Sequence, residues 1–180
     1  MKYLLVLVVF MAGCAQPPKP FILAPAQQTT ASNLALIPQL QVQDMRQAKY
    51  LIKVKHSDGE IELIHTKQAP ANVIEQALNT RLIQKSVDLS GWNYQVNIAK
   101  LHVEVAQHSL KYESNSNIIL QVNLTNEKTT LTKNFKRQGT SHGPLRADQA
   151  VLEREFNIML AQVLNDITND AELNRLINQH

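Results

Sequence analysis

The sequence predicts an α+β domain in which helices pack on one face of a mainly antiparallel or mixed sheet. Three observations carry that expectation. Val96 to Gln107 alternates apolar and polar side chains, the signature of a strand with one face buried and one wet. From Arg146 to Thr168, Leu152, Phe156, Met159, Leu160, Val163 and Ile167 recur at intervals of 4, 3, 1, 3 and 4, a continuous helical stripe. Between and before these the order reads strands, helix, three strands, helix, helix.

Taken in chain order, Leu34, Leu36, Leu40 and Val42 alternate as a first strand, and Pro38 inside it argues for an edge or a bend. Tyr50, Ile52 and Val54 against Leu51, Lys53 and Lys55 give a second. Ser57-Asp58-Gly59-Glu60 is a turn, because Asp-Gly accepts the positive backbone angles of tight hairpins, and Ile61 to Thr66 returns as a third strand. Pro70 opens a helix, where its missing N–H is not needed, and Val73, Ile74, Ala77, Leu78 and Leu82 form the buried stripe. Gly91 leads into Trp92, Tyr94 and the long strand. There Ala99, Leu101, Val103 and Val105 should face inward, with Lys100, His102, Glu104 and Ala106 outward. Asn115-Ser116-Asn117 reads as the next turn, followed by a strand with Ile118, Leu120, Val122 and Leu124 inward. Asn126-Glu127-Lys128 turns again into Thr129 to Lys136, completing a meander. After the long helix, Asp170 is placed to cap a short one holding Leu173, Leu176 and Ile177.

Bulk composition narrows the function. Of 180 residues 44% are hydrophobic and 18% charged, ordinary for a packed fold. The formal charge is +3, and no Lys/Arg run exceeds two residues, which argues against a nucleic-acid partner. The single cysteine, Cys14, has no disulfide partner. Its surroundings explain it. Lys2 precedes the apolar run Leu4 to Met11, too short to span a bilayer and shaped like a secretory signal, and Ala12-Gly13 supplies small residues before Cys14. Met-Ala-Gly-Cys resembles a lipobox, with Met11 where Leu is usual. That resemblance implies a diacylglycerol on the Cys14 thiol, cleavage before Cys14 and acylation of the new amine. Ala15, where Asp would retain the protein at the inner membrane, implies an outer-membrane destination facing the periplasm. The expected organisation is therefore a signal peptide over 1–13, a lipidated Pro-rich tether over 14–32 carrying Pro17, Pro18, Pro20 and Pro25, and one periplasmic domain over 33–180.

More broadly the chain resembles the YajG-type lipoproteins of Gram-negative bacteria. The resemblance rests on order and spacing: the Met-Ala-Gly-Cys-Ala start with Pro17-Pro18, Asp44-x-Arg46 before the second strand, and the single helix after the hairpin. The Leu101-x-Val103-x-Val105 strand, Thr132-Lys133-Asn134-Phe135, Asp166-Ile167 and Leu173 to Ile177 complete it. It implies an envelope lipoprotein and brings no catalytic residues with it.

Chemical motifs are sparse. The five glycines are not spaced as a nucleotide loop, and no cofactor is expected. His102-x-Glu104 puts two ligand-type groups on one strand face, and His108 shares it if the strand runs on. His56 and His65 flank the hairpin. Two ligands fall short of the three or four a site needs, so no metal is expected and the solvated face of a strand is the better reading. Ser141-His142, in the Gly139 to Pro144 segment, are sequence neighbours without an orienting acid, so this is a strand-to-helix loop with no catalytic residues. Arg137, His142 and Arg146 would make that loop a mildly basic binding lip. The function expected is a non-enzymatic binding or scaffold module, tethered to the membrane through Cys14, with an envelope protein or cell-wall partner. The alternatives are a hydrolase acting on cell-wall or lipid material, or a carrier of small ligands.

Overall fold

A computed structural model describes residues 19–25 and 37–178. Nine elements follow in order: β1 (Leu40–Asp44), β2 (Ile52–His56), β3 (Ile61–Ile64), α1 (Pro70–Gln84), β4 (Asn93–Gln107), β5 (Lys111–Thr125), β6 (Thr130–Pro144), α2 (Gln149–Thr168) and α3 (Ala171–Asn178). The strands form one mixed sheet in the order β3-β2-β4-β5-β6, with antiparallel pairs β2–β3, β4–β5 and β5–β6. The helices pack on one face and share its hydrophobic core, as the α+β expectation requires.

One edge of β4 is shared end to end. β1 runs parallel to its first half, Leu40 opposite Tyr94 through Asp44 opposite Ile98. β2 runs parallel to its second half, Ile52 opposite Val103 through His56 opposite Gln107. Between these halves β4 carries a bulge at Ile98/Lys100. The bulge inserts one residue and changes the parity of the faces. Tyr94, Val96 and Ile98 point inward before it, and Leu101, Val103 and Val105 after it. Ala99 is therefore exposed, against the strict alternation that placed it in the core.

The strands are longer than their turn-like residues suggest. Asn115-Ser116-Asn117 lies inside β5 and does not turn the chain; the reversal is at His108–Leu110, closed by His108 N donating to Lys111 O at 2.8 Å. The Gly139–Pro144 segment likewise belongs to β6 and is not a loop. Both segments pair with a neighbouring strand along their whole length, which satisfies the backbone groups on the paired side. The other end of β5 does turn at Asn126, whose Oδ1 accepts from the backbone of Lys128 and Thr129. At the start of the domain, Leu34 and Leu36 lie outside the described residues, and β1 begins only after the turn at Pro38.

The Asp170 cap is as predicted, while α2 starts at Gln149, three residues later than expected, behind a cap at Asp148. Asp148 accepts from Ala150 N at 2.8 Å to start α2, and Asp170 accepts from Leu173 N at 3.1 Å to start α3. α1, opened by Pro70, lies on β1, where Asn79 Oδ1 accepts from Ile37 N. β6 is braced to the helices by Arg137 with Asp166 and by Lys133 with Asp170 and Glu172.

The predicted tether ends earlier than residue 32. Residues 19–25 lie along α2 as part of the domain: Phe21 is fully buried and Leu23 nearly so. Phe21 bridges to Thr66, donating to His65 O at 2.8 Å and accepting from Lys67 N at 2.9 Å. Asn157 bonds both Ile22 O and Ala24 N, and Gln149 donates to Lys19 O at 3.0 Å. The Phe21 ring meets Phe156 edge to face, centroids 5.8 Å apart at 88°. Proline content suggested a tether here, but Phe21 and Leu23 outweigh that tendency by burying apolar area. Residues 14–18 and 26–32 of the expected tether lie outside the described residues.

Candidate binding face

Helices cover the inner face of the sheet and leave the outer face of β4, β5 and β6 to solvent. Register places its side chains in rows of three. Beyond the bulge, toward the β5–β6 turn, the rows are Asn97–Gln121–Asn134, Gln95–Asn123–Thr132 and Asn93–Thr125–Thr130. Every one is an uncharged amide or hydroxyl. Several bond across the face: Gln95 Nε2 donates to Asn97 Oδ1, Gln121 Nε2 to Asn134 Oδ1, and Thr132 Oγ1 to Asn123 Oδ1 at 2.9 Å. Toward the other end the rows become Lys100–Ile119–Lys136, His102–Asn117–Gln138, Glu104–Asn115–Thr140 and Ala106–Glu113–His142, a mixed-charge surface.

Near the middle of this face Asn117 Oδ1 is shielded from solvent without a hydrogen-bond donor among the described residues. An acceptor in that position costs free energy. His102, across from Asn117, has its pKa lowered. Partial burial is the main cause; Lys100 and Arg46 add to it and Glu104 opposes it. His102 and Glu104 also line a groove of about 450 Å³ under the Met45–Tyr50 connector, beside Lys100.

The residues singled out in the sequence fall in different places. His102 and Glu104 do share the outer face, as expected. His108 sits in the β4–β5 turn, and His56 pairs instead with Glu62 at 3.6 Å on the inner side. Among the described residues no three His, Cys, Asp or Glu side chains gather as a metal-binding group. Arg137, His142 and Arg146 do not form one lip. Arg137 points to the helices and bonds Asp166 at 2.8 Å, His142 lies on the outer face across from Glu113, and Arg146 borders a crevice between β2 and α2. The reason is the strand they belong to: in β6 the alternating pleat sends residues 137 and 142 to opposite faces, which the loop reading did not include. Ser141 faces inward, and its carbonyl accepts from Ser114 Oγ. Cys14 lies outside the described residues.

A feature missed in the sequence closes the far end of the sheet. The buried side chain of Gln107 donates from Nε2 to His108 O, Lys111 O and Leu145 O, and accepts from Ala147 N at 2.9 Å. This amide clamps the β4–β5 turn to the β6–α2 connection. Its only sequence signal is a polar residue at the inward phase of an apolar strand. Gln107→Leu is expected to lower stability by about 1–2 kcal/mol, because the partly buried Ala147 N and Leu145 O lose this partner. Urea unfolding checks it; an unchanged midpoint would mean the clamp is dispensable.

No helix of the described residues is long and apolar enough to cross a membrane. A family model described as "uncharacterized lipoprotein" matches residues 20–178. No curated protein sequence matches significantly. Among solved structures, a Xanthomonas campestris protein assigned to the family model DUF330 is 15% identical with a TM-score of 0.52, covering 90% of this chain and 99% of its own, a likeness of fold. The rare lipoprotein B of Shewanella oneidensis is 13% identical with a TM-score of 0.42, covering 72% of this chain and 99% of its own.

Proposed function

We infer the function from one premise: the chain belongs to the family of uncharacterised lipoproteins whose model it matches over residues 20–178. Membership supports an envelope lipoprotein, and the Met-Ala-Gly-Cys pattern supports its anchor: diacylglycerol on the Cys14 thiol and an acyl chain on its amine. Two or more chains are needed for a stable hold, since one alone binds a membrane only marginally. Ala15 supports residence in the outer membrane with the domain in the periplasm, and the points of sequence order above support the YajG-type branch.

On that anchor the domain is a non-enzymatic binding module of the envelope. The observation that carries this reading is the uncovered outer face of β4–β6, with its rows of amides and hydroxyls. Such a face recognises a partner by matching hydrogen-bond donors and acceptors, and its uncharged half makes that contact little sensitive to salt.

Photo-crosslinking in cells tests the module. Crosslinkers at Asn123 and Gln138, on the outer face, are expected to capture a discrete envelope partner. One at Glu155, exposed on α2, is the control. Equal capture at all three, or capture of abundant bystanders only, would sink the reading.

A further inference from the structure

We propose that Leu110 and Leu145 form a membrane-contacting tip that seats the domain on the lipid surface holding its own anchor. The proposal rests on the lipid-anchor reading of Cys14 and adds where and how the domain meets the bilayer.

The distance along the chain decides which end faces the membrane. Lys19 is pinned by its carbonyl to Gln149, the first residue of α2. Cys14 lies five residues earlier in the sequence. Fully extended, that stretch spans at most about 17 Å. The end of the domain that carries the α2 N-terminus is thus held close to the headgroup layer, and the β5–β6 turn at the other end of the sheet points away.

The tip is at that same end. Leu110, in the β4–β5 turn, is 76% exposed, and Leu145, between β6 and α2, is 65% exposed; no other large hydrophobic side chains among the described residues are so open. They are joined by Leu145 N donating to Leu110 O at 2.8 Å. Beside them Tyr112 and Pro144 line a shallow groove of about 610 Å³ with Leu110.

Leu145 is an unexpected residue for its place. Its φ is +63°, a conformation suited to Gly or Asn, and its side chain is mostly exposed there. The Gln107 amide, bonded to Leu145 O, holds the strained backbone in position. A strained leucine directed to solvent is explained if its contact lies outside the chain. The nearby charges are mixed: Lys19, Lys111 and Arg146 against Glu113 and Asp148, with Lys111 bound to Glu113 at 2.8 Å. Contact therefore depends on apolar insertion at the interface and not on attraction to anionic lipid.

The test uses the lipidated protein reconstituted in vesicles of phosphatidylethanolamine and phosphatidylglycerol. Because Cys14 is the sole cysteine and is acylated, Leu110→Cys, Leu145→Cys and Glu127→Cys each accept one nitroxide label. At positions 110 and 145 collisions with oxygen are expected to exceed those with an aqueous nickel complex several-fold. At position 127, in the opposite turn, the aqueous complex should dominate. Vesicle-bound protein with all three labels equally aqueous overturns the tip. Shielding at 110 and 145 that grows with protein density at fixed lipid assigns the patch to a second copy, and also overturns it. A parent chain that does not float with vesicles and carries a reactive Cys14 thiol refutes the anchor itself, a different failure.

Discussion

Arg46→Ala is expected to cost about 3–5 kcal/mol of folding stability, because it removes one partner of a largely buried ion pair and reopens a gap in the sheet. β1 and β2 occupy the same edge of β4 in succession, so the chain between them must cross the bulge without a strand partner. Met45 N donates to Ile98 O at 3.1 Å on one side, and Val103 N donates to Leu51 O at 2.7 Å on the other. Leu101 O, in the gap, receives the Arg46 guanidinium at 2.9 Å, and the same nitrogen reaches Tyr50 O. The other two guanidinium nitrogens fork onto the Asp44 carboxylate at 2.9 and 2.8 Å. Alanine leaves that carboxylate and the Leu101 carbonyl without this partner. Lysine offers a compact charge and no planar fork, so Arg46→Lys should recover little.

The same pair sets an acid dependence. Burial pushes the Asp44 pKa up, but hydrogen bonds from Arg46 and its charge, with Lys49, outweigh it, and the net shift is downward from 3.8. A carboxylate lowered in the folded state stabilises above its unfolded pKa, and that contribution is lost as pH falls through the folded value. Stability of the parent should therefore fall below about pH 4, and Arg46→Ala should lose this part of the slope. Urea midpoints across pH 2–6 measure both effects; a parent-like midpoint for Arg46→Ala would show that the gap is closed by other means.

Phe21→Ala is the second large effect, also about 3–5 kcal/mol, since it deletes a fully buried ring packed edge to face on Phe156. Its consequence reaches beyond stability. Phe21 fastens residues 19–25 to α2 and to the end of β3, and without it the backbone bonds at His65 and Lys67, the bonds from Gln149 and Asn157 and the Leu23 side chain must hold that segment. Release would lengthen the link to Cys14 by up to about 25 Å and free the tip from its short leash. Thermal unfolding reports the first effect, and faster protease cleavage between residues 19 and 25 reports the second. Ile22→Ala, at a half-exposed neighbour, is the control and should move stability by less than about 0.5 kcal/mol. If both variants behave alike, the ring is not the fastener.

Periodicity made much of the fold legible. The α1 and α2 stripes, the Asp170 cap, the Asp-Gly hairpin and the long β4 strand are all local patterns, and local patterns survive without knowledge of what packs where. Misreadings arose where pairing overrides composition. Asn115 to Asn117 and Gly139 to Pro144 look like turn chemistry, yet the first lies in β5 between β4 and β6 and the second pairs with β5 along its length. The bulge at Ile98/Lys100 is invisible in the sequence because apolar residues continue through it, and it alone moves Ala99 outward. Phe21 and Leu23 were visible as an apolar patch, but proline content argued for a tether.

For the candidate site the division is similar. His102 and Glu104 on one strand face follow from alternation, whereas the separation of Arg137, His142 and Arg146 does not. Gln107 as a clamp and Leu145 as a strained, exposed leucine depend on residues 38 and 35 positions away in sequence. The sequence by itself determined the class of fold, the spacing of its helices and the anchor motif at Cys14, because each is written in short-range order. Only the tertiary structure decided which strand face stays open, which arginine mends the sheet and where along α2 residues 19–25 are fastened. Those depend on long-range pairing and burial, where the free energy of a residue is set by neighbours far away along the chain.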